Sequence, residues 1–265
     1  ASLEGSSSAS RLAVGEGNAL TWSAHDTFVM FNESEEQSYW KMTSTPGEKV
    51  GTFEGIELTG KLRGAAFPSS VSPSVDGDVL TMVLPHEITY QKDICNLPMW
   101  ASFSTLEENV SFKHLGALLK IDFSDIPEGY NSLTVIADKP IAGAFTVDLS
   151  AKEPMLQAME KGVNSVKLSF DAIKGSDDDR LFYIPLPVGT YESINVAISD
   201  GVNQVSIADW SNCTIVRKKV YLASLTYRVS NATTLEEVTE DLKEMVGVAS
   251  NATVESVNKI YATEG

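Results

Sequence analysis

The stretch Leu181 to Gly201, Leu-Phe-Tyr-Ile-Pro-Leu-Pro-Val-Gly-Thr-Tyr-Glu-Ser-Ile-Asn-Val-Ala-Ile-Ser-Asp-Gly, restricts what this chain can fold into more than any other. Leu181 to Leu186 is an apolar, aromatic-rich run halted by Pro185 and Pro187. Proline cannot donate to a sheet ladder, so the run reads as a strand ending at a sheet edge. Pro187-Val188-Gly189-Thr190 supplies a corner. Tyr191, Ile194, Val196 and Ile198 then alternate closely enough to leave one face buried and one wet. Asp200-Gly201 adds a tight-turn signal. The expected unit is a β-hairpin, with no catalytic residue type in a suggestive arrangement.

The same punctuation recurs along the chain. Ala19 to Phe31, Val50 to Leu62, Val79 to Leu84, Val110 to Phe123, Ser132 to Ala137, Ala142 to Asp148, Val163 to Phe170, Val202 to Trp210 and Cys213 to Val229 all read as strands or strand pairs, with Arg11 to Val14 beginning the first. Short strands at spacings of roughly 8–12 residues with Gly, Pro and Asp turns mean an all-β sandwich or barrel. The exception is late. Thr234 and Glu237 form a capping box, Leu235, Val238, Leu242, Met245 and Val246 share one helical face, and Gly247 stops the run, so a helix is expected there. Val254, Val257 and Ile260 suggest a second short helix. The serine-rich leader Ala1 to Ser10 is expected to be held by a strand or a neighbouring molecule.

Composition excludes several functions. A net charge of −16 repels phosphate backbones and anionic lipid surfaces, so nucleic-acid binding is disfavoured. There is no apolar run long enough to span a bilayer as a helix, and a chain that begins at Ala1 without methionine is expected to have lost any targeting segment. Cys95 and Cys213 cannot build a four-ligand zinc site; one bridge would need their Cα atoms within about 7 Å, and two buried free thiols is the favoured reading. His25, His86 and His114 lie in separate segments without metal-ligand spacing. Gly60-Lys-Leu-Arg-Gly64 lacks the ending of a phosphate loop, and no nucleophile elbow is present. Asp177 to Asp179 reads as a solvated acidic loop, since an EF-type calcium loop needs spaced ligands and a closing glutamate. No catalytic residue, metal or cofactor is expected, although dispersed carboxylates leave a hydrolase open as a weaker class. Trp22 and Trp210 sit in strand-like context as core residues; Tyr39, Trp40 and Trp100, in loop-like context, are the candidate partner or ligand contacts.

Six motifs in order then resemble the fimbrillin family of Bacteroidetes surface pilins and cell adhesion proteins. Leu20-Thr-Trp-Ser-Ala-His-Asp-Thr-Phe-Val-Met-Phe31 looks like that family's L-x-W-x-x-G-D-x-I-x-V-F opening, with His25 where glycine is usual. Val79 to Pro85, Leu97 to Ala101, Ser111 to Ile121, Ile141 to Phe145 and the Leu181 to Gly201 unit are similar to the segments that follow, covering about residues 11 to 228. Arg63-Gly-Ala-Ala-Phe-Pro68 departs from the family's tyrosine-rich version. The resemblance implies an all-β fold of two Greek-key, transthyretin-like β-sandwich domains in tandem, here 1–109 and 110–230, followed by a helical appendix over 231–265. It implies a non-enzymatic fimbrial subunit or adhesin at the outer membrane, exported as a lipoprotein precursor whose lipidated cysteine would lie upstream of Ala1. Its partners would be other subunits, joined by strand exchange after a trypsin-like cut, together with host or bacterial surface proteins or glycans. Arg11 and Arg63 are the processing candidates, and an ordinary surface arginine remains the alternative for each. The alternative function is a glycan- or protein-binding module using loop aromatics.

Overall fold

A computed structural model describes residues 12–14, 20–47, 50–106, 110–174, 180–227, 236–241 and 245–249. The leader, Arg11, Asp177 to Asp179 and the second short helix expected at Val254 to Ile260 lie outside the described residues. Everything regular in the described chain, apart from a short 3-10 turn at Ser69–Val71, is strand. In chain order these are β1 (Leu12–Val14), β2 (Leu20–Thr21), β3 (Thr27–Asn32), β4 (Gln37–Met42), β5 (Gly51–Gly55) and β6 (Leu62–Phe67), then β7 (Ser74–Asp76), β8 (Val79–Leu84), β9 (Glu87–Thr89), β10 (Ile94–Cys95), β11 (Met99–Ser102) and β12 (Val110–His114). They continue as β13 (Ala117–Ser124), β14 (Ser132–Ala137), β15 (Gly143–Asp148), β16 (Gln157–Ala158), β17 (Ser165–Ser169) and β18 (Arg180–Leu186), and end with β19 (Gly189–Ser199), β20 (Gln204–Ile215), β21 (Lys219–Thr226), β22 (Glu236–Asp241) and β23 (Met245–Ala249).

Seven strands close into a ring in the order β11-β12-β23-β5-β4-β3-β6. Its interior is aromatic because alternate residues of β3, β5, β6 and β12 turn inward: Phe28, Phe53, Phe67 and Phe112 are buried there, joined by Trp22 from the segment after β2. Trp22 meets Phe53, Phe67 and Phe112 edge-on at centroid distances of 4.9, 5.3 and 6.0 Å. The small sheet β10-β1-β2 belongs to the same core through Leu12, Val14, Leu20 and Cys95.

Outside the ring, Val29, Phe31, Ala66 and Trp100 face a second cluster formed with Leu80, Met82, Phe145 and Val147 of the sheet β16-β15-β8-β7. Here the departure at Arg63 to Pro68 finds its reason. Gly64 leaves room for the Trp100 indole, and a Cβ there would stand 2.5 Å from the ring. Ala65 and Ala66 are fully buried where larger tyrosines would need other partners.

A third core lies between the five-stranded sheet β20-β19-β14-β17-β9 and the four-stranded sheet β18-β13-β21-β22. On β13, Leu119, Ile121 and Phe123 point into this core, while Leu118, with Tyr183 and Val220, reaches the ring's interior. Strand pairing runs across residue 110: β12 belongs to the ring, β8 pairs with β15, and β9 pairs with β17.

Two sequence expectations change. Leu181 to Gly201 is no hairpin, because β18 pairs with β13 whereas β19 pairs with β14 and β20. The prolines turn the chain from one sheet to the facing one, and the corner is fixed by the buried Tyr191 hydroxyl, which donates to the Pro187 carbonyl at 2.9 Å. The hairpin is one strand later, β19 to β20, closed where Asp200 N–H donates to the Asn203 carbonyl. The helix over Thr234 to Gly247 is also overturned: Glu236–Asp241 and Met245–Ala249 are strands laid on open sheet edges, with 234–235 and 242–244 outside the described residues. Unpaired ladder groups on β21, β12 and β5 offer a partner that local helical periodicity cannot register.

Candidate assembly interface at the C-terminal strands

Six of the seven ring strands come from the first 114 residues, and alone they leave β12 and β5 as two open edges. Residues from the far end of the chain fill that gap. β23 runs antiparallel to β12, with Val110 opposite Gly247, Ser111 opposite Val246 and Phe112 opposite Met245. It runs parallel to β5, with Gly247 opposite Gly51, Val248 opposite Thr52 and Ala249 opposite Phe53. The inner walls of the gap are Val110 and Phe112 on one side and Phe53 on the other, all buried. Gly51 is needed there, since a Cβ would stand 2.7 Å from the Phe53 ring and 2.8 Å from Trp22.

The second C-terminal strand, β22, pairs antiparallel with the outer edge of β21, from Leu222 opposite Glu236 to Lys219 opposite Asp241, with a bulge after Lys219. The two segments are opposite in charge along the sequence. β22 carries Glu236, Glu237, Glu240 and Asp241, and the chain entering β21 carries Arg217, Lys218 and Lys219, a concentrated basic run in a chain of net charge −16. The side chain of Arg217 is 8% exposed; it donates to the His114 carbonyl at 3.0 Å and forms an ion pair with Glu153.

The residues singled out from sequence sit differently. Trp40 and Trp100 are core residues: Trp40 stacks on Phe28 at 6.2 Å with 3° between planes, inside the ring, and Trp100 fills the cluster outside it. Trp40 is enclosed by the ring, whereas Trp100, 3% exposed, also borders two surface clefts beside Ser102 and Phe103. Tyr39, 58% exposed, remains on the surface. Arg63 lies in β6 at the irregularity where the ladder with β3 passes from Gly64 to Leu62, next to Gly64, which is paired with both β3 and β11, and it forms an ion pair with Asp78. Arg11 is outside the described residues, but β1, which follows it, is the central strand of its sheet. The three histidines lie apart: His25 and His86 are exposed and His114 is fully buried at the end of β12. His25 has φ 71, the left-handed conformation that glycine favours. Both cysteines are free; Cys95 is buried and Cys213 half-buried. Desolvation pushes the Cys95 thiol up to about 12.

A cleft of about 870 Å³ is bordered by Asp93, Asp122 and Asp171 and by the rings of Tyr90 and Phe170. The Arg180 guanidinium already covers those rings, 5.2 and 4.6 Å from their centroids, so they form no open stacking platform. The sequence signal for the pairing of β22 with β21 is the charge asymmetry between 217–219 and 236–241; the ring-closing place of 245–249 has no local signature.

No family model matches the chain, and no curated protein does. Among solved structures, a "putative cell adhesion protein" from Bacteroides uniformis superposes with a TM-score of 0.51 at 14% identity, over 86% of this chain and 96% of that one. Another protein so described, from Bacteroides ovatus, gives a TM-score of 0.50 at 9% identity, over 92% and 90%. At these identities the likeness is one of fold: the chain is built like two Bacteroides proteins described as cell adhesion proteins, in agreement with the fimbrillin resemblance of its motifs.

Proposed function

We propose that this chain is a non-enzymatic cell-surface subunit, fimbrial or adhesive, of tandem-sandwich fimbrillin type, which assembles when the C-terminal strands of one copy replace those of another. The observation that carries the reading is the ring gap between β12 and β5, lined by Val110, Phe112 and Phe53 and filled by five residues from the other end of the chain. Ordering each of those residues costs roughly 1–2 kcal/mol, and each ladder hydrogen bond returns about 1 kcal/mol, so the strand's seat has a small net balance and is open to competition. An incoming strand of the same sequence makes the same ladder, which is strand addition with a second copy as partner. On this reading the protein is held at the outer membrane, and it meets surface proteins or glycans through the assembled fibre.

The test is a chain ending at residue 235. The truncated protein is expected to bind a synthetic peptide of residues 236–249 and to take up the tail of full-length protein as mixed dimers. A truncated protein that folds yet binds neither sinks the proposal. The peptide's affinity is expected to fall with added salt, because an acidic β22 segment meets the basic run 217–219.

A further inference from the structure

The two receiving edges lie in different sheets, and one short link must serve both. Asp241, the last residue of β22, stands opposite Lys219; Met245, the first of β23, stands opposite Phe112. From 241 to 245 the chain has four Cα steps, a reach of at most about 14 Å. Strands β21 and β12 must therefore stay within that span at this one place, or a single tail cannot occupy both.

The ladder of β13, which continues from β12, with β21 begins only at Leu118 opposite Val220; nearer the link, the side-chain contact is made by Arg217. Its guanidinium donates at 3.0 Å to the carbonyl of His114, two residues past Phe112 on β12. It also forms an ion pair with Glu153, in the segment after β15 that belongs to neither receiving strand. Two residues later the chain reaches Lys219. The neighbouring Lys218 N–H donates to the Gly116 carbonyl at 3.0 Å, so the β20–β21 turn is fastened to the β12–β13 junction at two points. Arg217 is largely buried, so its bond to a backbone carbonyl is sheltered from solvent competition.

We propose that Arg217 is the positioning residue of the assembly site: it gauges the distance between the two receiving edges so that one C-terminal tail, from the same chain or a second copy, fills both together. The inference rests on the strand-exchange reading. Joined by a short link, β22 on its own edge holds β23 close to its seat, and a wider gap leaves β23 to find that seat as an independent strand.

Amide hydrogen exchange of the full-length protein tests this, read separately over 236–241 and 245–249. In Arg217→Ala, exchange of 245–249 is expected to quicken by roughly tenfold to a hundredfold as the link no longer spans the gap, while 236–241 and the strands of the third core keep their protection. Inserting about four Gly or Ser residues between 241 and 245 of that variant adds up to about 14 Å of reach and is expected to restore protection. A simple packing defect would not respond to the longer link. If Arg217→Ala loosens the third core itself, Glu153→Ala, which alters an exposed side chain and leaves the His114 bond intact, takes its place with a smaller effect in the same direction. Unchanged protection of both segments, loss of both together, or a loss that the longer link fails to restore overturns the gauge alone. Absence of protection in either segment of the unaltered protein overturns the strand-exchange reading and the gauge with it.

Discussion

Trp40 offers a sharp test of the fold, because its position in the sequence and its place in the structure demand different things. A binding aromatic on a loop can be removed at little cost to stability, whereas a core tryptophan cannot. Trp40 is 1% exposed and lies parallel to Phe28 inside the ring. A tryptophan buries about 150–250 Å², which at about 25 cal/mol per Å² gives roughly 4–6 kcal/mol as an upper figure. Large-to-small core substitutions of aromatics cost about 3–5 kcal/mol, and that is the expected loss for Trp40→Ala. The indole N–H has no hydrogen-bond partner among the described residues, a burden of about 1–3 kcal/mol. Trp40→Phe removes that donor and keeps most of the apolar area, so it is expected to fall within about 1 kcal/mol of the parent. Its neighbour Tyr39, on the opposite face of β4, should lose less than about 0.5 kcal/mol as Tyr39→Ala. Equilibrium urea unfolding of the three variants, followed by circular dichroism, reads all these values. A Trp40→Ala cost below about 1 kcal/mol with an unchanged denaturant slope would refute the burial argument.

Four further outcomes follow from the geometry. His25→Gly relieves a left-handed conformation costing a non-glycine residue about 1–2 kcal/mol and loses about 0.4–1 kcal/mol through the unfolded chain; a raised melting temperature is expected, and a lowered one counts against the turn. Cys213 is expected to alkylate in the native protein well before Cys95. Because the Cys95 thiol titrates near 12 when folded against an ordinary value of 9.0, the unfolded chain loses its proton first, and stability falls as pH rises from 9.0 towards 12; identical native reactivity of the two thiols would contradict the burial. Hydrogen bonds from the N–H groups of Asn203 and Val202 hold the Asp200 carboxyl below its ordinary range, so its contribution is present at neutral pH and lost as pH falls through the lowered value; the stability gap between parent and Asp200→Ala should close in acid, once the carboxyl is protonated in both states. Finally, an arginine-specific protease should leave the Arg63–Gly64 bond intact in native protein, since Gly64 and the residues after it are paired on both sides and cannot enter a protease cleft, and native cutting there would show that β6 opens.

Legibility in the sequence follows the range of the interactions. Leu119 to Phe123 alternates in the sequence and alternates in the structure, because one strand's two faces are a local property. The same signal is present at Gln37 to Met42, where Ser38, Trp40 and Met42 turn inward and Gln37, Tyr39 and Lys41 outward, but the acidic residues preceding it disguise it as a loop. Leu181 to Gly201 yields two correct strands and the wrong partnership, since nothing within the segment says that its strands enter facing sheets. The C-terminal segment is hardest. Val238, Met245 and Val246 fit a helical face, and only the open edges of β21, β12 and β5, all distant in the chain, make extended pairing the better solution.

The route of the chain through the ring also governs how it carries load. β12 continues through Leu115 and Gly116 directly into β13, so a single backbone leads from the ring into the third core. β23 lies against that backbone on one flank and β5 on the other. Tension along the axis of β23 therefore loads two ladders in shear at once, and their bonds must yield together. β22, paired only to β21 among the described residues, can instead be peeled from one end, bond by bond. A tail seated this way resists a lengthwise pull and gives way to a sideways one, and the direction of force selects which of its two seats opens first.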